Sequence, residues 1–146
     1  MATRHLLFTL IILLLVSCST SAPDGLGVLE GKLLECPSSP NCVSTMAPAD
    51  DEEHYMEAIP YEDLQEARIK LMDVLMETPR TKILTQNRTY LHVTFTTPII
   101  RFVDDVEFYF DEEEKLLHFR SASRVGYSDL GANRRRMKNF KKAYLK

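Results

Sequence analysis

The feature that most limits what this chain can fold into is an apolar run close to its start. Residues 6–16 are apolar except for Thr9, and Arg4 precedes them as a short basic region. Eleven residues are too few to span a bilayer as a helix, which needs about 20 residues. A run of this length is typical of the apolar part of a signal peptide. We therefore expect residues 1–17 to be a signal peptide and the folded protein to follow it.

The end of this run carries a second signal, the sequence Leu-Val-Ser-Cys at residues 15–18. It resembles the lipobox of bacterial lipoprotein precursors, in which the cysteine thiol is acylated before the signal peptide is removed. Two or three acyl chains, such as palmitate, hold a protein stably on a membrane where one chain does not. We expect Cys18 to carry the lipid; an ordinary signal cleaved after Ala22 is the alternative. Since Ser19 rather than aspartate follows Cys18, the sorting pattern of enteric bacteria favours the outer membrane, with the protein facing the periplasm.

The two remaining cysteines form an even pair. Cys36 and Cys42 enclose the turn-forming sequence Pro-Ser-Ser-Pro-Asn, which favours closure of a small loop. An exported protein is in an oxidising compartment, where such thiols pair. No second cysteine or histidine pair has the spacing of a zinc site. We therefore expect a Cys36–Cys42 disulfide, no metal site and no cofactor.

Composition bounds the rest of the chain. With 146 residues, of which 45% are apolar and 27% are charged, the chain suits one domain with a single core. Residues 18–33 are rich in Ser, Pro and Gly, as flexible linkers are. We expect a lipid-anchored tether over residues 18–33 and one globular domain over residues 34–146.

Two segments have apolar residues at helical spacing. The first, over residues 61–76, should end before Pro79, because the residue before a proline disfavours helix. The second, over residues 129–144, should begin at an N-cap formed by Ser128 or Asp129. Its expected apolar stripe consists of Leu130, Met137, Phe140 and Tyr144.

Four segments between these helices alternate apolar and polar residues, as half-buried strands do. They cover residues 82–85, 90–96, 105–110 and 117–120, and residues 54–59 form a possible further short strand. The sequence therefore predicts an α+β fold: a four-stranded antiparallel sheet (meander) with two helices packed on one face. If the apolar faces of the strands coincide, Arg120 lies on the same face as Asp105 and Glu107, which predicts a cross-strand ion pair.

Small polar residues and arginines are concentrated where the last strand joins the last helix. Backbone N–H groups and guanidinium groups at such a junction can hold phosphate or carboxylate. Alternatively, the arginines pair with nearby carboxylates and fix the corner as a structural network. The candidate residues of this anion site or structural network are Asp104, Asp105, Glu107, Arg120, Ser121, Ser123, Arg124, Asp129, Asn133 and Arg134.

Three stretches in the same order along the chain also carry a family resemblance. They are residues 36–44 (CPSSPNCVS), residues 101–108 (RFVDDVEF) and residues 120–131 (RSASRVGYSDLG), followed by Asn-Arg-Arg-Arg at 133–136. Together they resemble the domain-of-unknown-function 1499 family, found largely in bacteria and often in predicted lipoproteins. The resemblance covers residues 34–146 and implies no settled activity.

No catalytic or cofactor signature is present in the sequence. We therefore expect a non-enzymatic binding or assembly module of the bacterial envelope; the alternative is a small hydrolase or transferase using Asp104, Asp105, Glu107 and Arg124. The last 19 residues carry seven basic groups against one acidic group. Such a helix can contact anionic lipid head groups or an envelope protein. Export argues against nucleic acid as a partner.

Overall fold

A computed structural model describes residues 21–146 of the chain. The predicted signal peptide and Cys18, the predicted site of lipid attachment, lie outside the described residues. Within residues 21–146, neither helix is long and apolar enough to cross a membrane. The elements are β1 (Cys42–Ser44), β2 (Ile59–Pro60), α1 (Leu64–Glu77), β3 (Thr81–Gln86), β4 (Tyr90–Thr96), β5 (Val103–Asp111), β6 (Leu116–Ser123) and α2 (Ala132–Tyr144).

The strands form one antiparallel sheet in the order β1-β6-β5-β4-β3, with β2 also paired to β6. The α+β class is therefore confirmed, and β3 to β6 follow one another as a meander. The predicted number of four strands is wrong, since the described part of the chain contains six. The two additional strands have three and two residues. They are too short to show alternation, and their pairing with the free edge of β6 defines them.

The first helix agrees with the sequence pattern, and the second begins later than expected. The Asp63 side chain caps α1 by accepting from the N–H of Glu66 at 2.9 Å, and α1 ends before Thr78 and Pro79 as predicted. In α2 the N-cap position belongs to Gly131, whose φ is 75°, and not to Ser128 or Asp129. Left-handed backbone of this kind suits glycine.

The hydrophobic core lies between one face of the sheet and both helices. Phe108 of β5 contacts Phe140 of α2 with ring centroids 4.8 Å apart. The Tyr144 hydroxyl donates to the Ala67 carbonyl of α1 at 3.3 Å. Three of the four stripe residues expected in α2 are buried, but Leu130 is 86% exposed because it precedes the helix. Burial among apolar groups raises the pKa of the Tyr144 hydroxyl to about 12.

The opposite face of the sheet is polar and is nevertheless buried. The segment of residues 21–36 contacts it, although part of that segment has the composition of a tether. The Gly27 N–H donates to Glu107 Oε1 at 2.8 Å, and Leu33 is buried. The Cys36–Cys42 disulfide joins this segment to β1, which confirms the predicted bond. Residues 21–36 therefore cover the polar face of the sheet.

Candidate functional site

The candidate residues divide into two groups on opposite faces of the sheet. Successive side chains of a strand point to opposite faces, so Asp104 and Asp105 are separated although they are adjacent in sequence. The helix-side group consists of Asp104, Ser121, Ser123, Asp129 and Asn133. The outer group consists of Asp105, Glu107, Arg120 and Arg124.

Arg134 belongs to neither group. Its guanidinium donates to the backbone carbonyls of Glu53 at 2.8 Å and Tyr55 at 3.1 Å, and it also contacts the Glu52 carbonyl. Arg134 therefore links α2 to the loop between β1 and β2.

Asn133 is the centre of the helix-side group. Its side chain is buried, and Nδ2 lies within 3.0 Å of Asn41 O, Ser123 Oγ and Asp129 Oδ2. Its Oδ1 accepts from Ser121 Oγ at 2.5 Å. This one amide therefore connects β6, the loop before β1 and the start of α2.

Asp129 supports the start of α2 without occupying the N-cap position. Its Oδ1 accepts from the N–H of Gly131 at 2.8 Å, and its Oδ2 accepts from the N–H of Asn133 at 2.6 Å. A carboxylate is also favoured by the partial positive charge at a helix start. The sequence suggested that backbone N–H groups at this junction could bind an anion. Those of Gly131 and Asn133 instead donate to the Asp129 carboxylate.

Asp104 is neutralised by an arginine outside the predicted set. Arg136 Nη2 donates to Asp104 Oδ2, and Arg136 Nη1 donates to Asn133 Oδ1 at 2.6 Å. The same guanidinium stacks 5.0 Å from the centre of the Phe95 ring. With these contacts the helix-side group is a closed structural network.

Asp105 lies in the outer group and has both of its oxygens occupied. Arg124 donates from Nε to Oδ2 and from Nη2 to Oδ1, both at 2.8 Å, and His92 Nε2 lies 2.7 Å from Oδ1. Burial by itself raises the pKa of the Asp105 carboxyl, but the hydrogen bonds from Arg124 and His92 outweigh it and lower that pKa. The same contact raises the pKa of Arg124. Asp105 is therefore an ionised carboxylate and a poor general base.

Glu107 and Arg120 face each other in register on β5 and β6, as expected. Glu107 Oε1 accepts from the Tyr90 hydroxyl and from the Gly27 N–H, both at 2.8 Å. Glu107 Oε2 lies 3.5 Å from Arg120 Nη1, which confirms the cross-strand ion pair. Burial and the Glu107 carboxylate raise the pKa of Tyr90, so its hydroxyl stays protonated as a donor.

Arg120 differs from the other arginines because its buried donors are not satisfied. The residue is 5% exposed. Arg120 Nε and Nη1, and Glu107 Oε2, make no hydrogen bond with any residue in the described part of the chain. Burial lowers the pKa of Arg120, and the Glu107 carboxylate opposes that shift. Buried polar groups without partners are costly, so a further group at this position would stabilise the site.

Arg120 lines an open cleft of about 430 Å³ between β6 and the disulfide loop. Arg124 and Asp105 line the cleft beside it, and Pro37 and Asn41 form part of the opposite wall. The cleft therefore joins solvent to the Arg120 guanidinium, whose ion pair with Glu107 is long, at 3.5 Å.

Three residues of these clusters were not among the predicted site residues: Tyr90, His92 and Arg136. A sequence signal existed for the first two, because strand alternation places them on the polar face with Asp105 and Glu107. For Arg136 the signal is its position three residues after Asn133, which is one helical turn. No serine of the set has a histidine as its hydrogen-bond partner within residues 21–146, so neither group forms a nucleophilic triad.

Comparison with known proteins identifies the domain. Residues 32–144 match a family model described as "Protein of unknown function (DUF1499)". The comparison with curated proteins found no match. The matched range covers most of the 146-residue chain and includes both side-chain groups. It confirms the resemblance carried by the three sequence stretches, and the chain belongs to the DUF1499 family.

Proposed function

We propose that this protein is a non-enzymatic binding module of the bacterial envelope, held on the membrane through lipid on Cys18 and facing the periplasm. The lipobox-like sequence at residues 15–18 supports the anchor. The Cys36–Cys42 disulfide supports an oxidising compartment, since disulfides are rare in cytosolic proteins.

The observation that carries the binding role is the Arg120 guanidinium in the cleft, whose Nε and Nη1 have no hydrogen-bond partner among residues 21–146. A ligand group that accepts from Arg120 and donates to Glu107 Oε2 would satisfy both side chains. Hydroxyl, amide and protonated acid groups have this property. The cleft is therefore suited to a small polar group of a larger molecule, and its two arginines are balanced by two carboxylates.

The arrangement of the carboxylates favours binding over catalysis. Asp104 and Asp105 are each paired with an arginine, and Glu107 Oε1 has two donors. A general base needs a carboxylate that is free to take a proton and has a pKa near the working pH. Asp105 does not meet this requirement, because its hydrogen bonds lower the pKa of its carboxyl. The hydrolase or transferase alternative gains no support from these contacts.

The binding role is tested by photocrosslinking in living cells. A photoreactive amino acid is placed at Pro37, an exposed residue that lines the cleft, and in a control at Met76, an exposed residue of α1. We expect the Pro37 probe to give a covalent adduct by intact mass that the Met76 probe does not give. The adduct should be lost when Arg120→Met is added. Equal labelling from both positions, or an adduct that Arg120→Met leaves unchanged, would contradict the proposal.

The anchor is tested separately by the mass of the mature N-terminus. Protein extracted from the membrane fraction should begin at Cys18 and carry the added mass of two or three acyl chains. Cys18→Ala should abolish that mass, while Ser19→Ala should leave it. A mature chain that begins at Pro23 without lipid would instead establish the ordinary cleaved signal.

A further inference from the structure

A second and larger groove lies away from the Arg120 cleft. It has a volume of about 550 Å³ and is bounded by residues 31–36, the loop after β1 and the β5–β6 turn. Asp111, Glu114 and His118 line it together. One ligand atom from each of these three residues lies within 4.8 Å of the other two.

His118 is held in an orientation that leaves one ring nitrogen for a ligand. The residue is 8% exposed, and Nδ1 lies 3.0 Å from Thr45 Oγ1. The same hydroxyl accepts from the Phe119 N–H at 3.1 Å, which fixes the position of Thr45. Among residues 21–146 the ring makes its hydrogen bond through Nδ1, which leaves Nε2 for a ligand. In metal sites, a histidine ligand is usually oriented in this way through its other ring nitrogen.

The two carboxylates come from the turn that joins β5 to β6. Asp111 Oδ1 accepts from the N–H groups of Glu113 and Glu114, at 2.9 Å and 3.0 Å. Asp111 is thus fixed through one oxygen, and Oδ2 is left for another contact. Glu114 is exposed, so its side chain can move toward a bound ion without disturbing the core.

The charge of the groove favours a cation. Its lining includes the carboxylates of Glu35, Asp51, Asp111 and Glu114 against the single amine of Lys32. Asp51 is paired with His54, which leaves three carboxylates around the groove. Carboxylates that converge on a low-dielectric wall attract a divalent ion.

We propose that Asp111, Glu114 and His118 form a binding site for a zinc ion, with water completing the coordination. One imidazole nitrogen and two carboxylate oxygens are zinc ligands, whereas calcium prefers six or more oxygens. The site is independent of the Arg120 cleft, and either can fail without the other.

The test is calorimetric titration of zinc into the mature protein after removal of metal with a chelator. We expect one zinc ion per chain and no calcium binding at the same concentrations. Glu114→Gln and His118→Gln should each weaken zinc binding at least tenfold. Glu113→Gln, a matched change in the same turn outside the ligand set, should alter the affinity by less than twofold.

Glu114 is on the surface, so Glu114→Gln is expected to fold. The test therefore remains decisive even if His118→Gln does not fold. Wild-type protein that binds no zinc, or equal affinities for Glu114→Gln and wild type, would overturn the assignment. Equal losses for Glu113→Gln and Glu114→Gln would also overturn it, because they would indicate general attraction by the acidic turn.

Discussion

Replacing Arg124 by methionine should be among the more damaging single changes in the outer group. The side chains of Arg124 and Asp105 are 5% and 1% exposed, and two hydrogen bonds join them. Removing one partner of a buried pair leaves an uncompensated charge and costs about 3–5 kcal/mol. His92 still contacts Asp105 Oδ1 in the variant. We therefore expect the lower end of that range, about 3 kcal/mol.

The structure offers a matched control for this change. Arg88 also pairs with a carboxylate through two hydrogen bonds, to Glu112 at 2.5 Å and 2.6 Å, but the Arg88 side chain is 72% exposed. Exposed pairs contribute about 0–1 kcal/mol. Arg88→Met should therefore cost less than about 1 kcal/mol, although it removes the same kind of contact.

The assay is equilibrium unfolding in urea, supported by thermal unfolding. For a domain of this size, a loss of 3 kcal/mol corresponds to a fall in Tm of about 10 °C. The double variant Arg124→Met/Asp105→Asn should be more stable than the sum of the single losses predicts, by about 2 kcal/mol, since the buried charge is removed with its partner. Equal losses for Arg124→Met and Arg88→Met would refute the reasoning that burial sets the cost.

Three further outcomes follow from the contacts of single side chains. Asn133→Ala should lower the unfolding free energy by about 2–4 kcal/mol, because it leaves several buried polar groups without partners; a loss below about 1 kcal/mol in urea unfolding would contradict its central position. The pKa of Asp105 is lowered by folding, so its contribution is present above its unfolded value of about 3.9 and is lost as pH falls through the folded value. Unfolding free energy should accordingly decrease below about pH 4, and Asp105→Asn should flatten this decrease; an unchanged acid profile would count against the ionised carboxylate. Reduction of the Cys36–Cys42 disulfide, or its replacement by two serines, should cost about 2 kcal/mol from loop entropy, measured by urea unfolding with and without reductant; identical curves would show that the loop closes without the bond.

Local patterns along the chain were sufficient to predict most regular elements. The expected strand at residues 90–96 coincides with β4, because alternation of apolar and polar side chains continues over its whole length. The pairing of Arg120 with Glu107 followed from the same alternation. Strand alternation also separates Asp104 from Asp105, so the division into two groups was predictable in principle.

Features that depend on distant parts of the chain were not predictable. Strands β1 and β2 exist because β6 offers a free edge. The short strand expected over residues 54–59 reaches β2 only at Ile59, and nothing within the three residues of β1 signals a strand. The late start of α2 has instead a local cause that apolar periodicity does not show, the positive φ values of Leu130 and Gly131, 53° and 75°. The burial of the polar face depends on Gly27, which bonds to Glu107 eighty residues away. No local pattern in residues 21–36 indicates that contact.

The central claim is that Arg120 and Glu107 hold a group from outside the chain in the cleft. The most direct measurement is a crystal structure of protein purified from its native source without refolding, with attention to the electron density beside Arg120 Nε and Nη1. We predict density for a non-protein group within hydrogen-bonding distance of Arg120 and of Glu107 Oε2. Ordered water alone at that position, or a direct hydrogen bond between Arg120 and Glu107 with the cleft closed, would contradict the account.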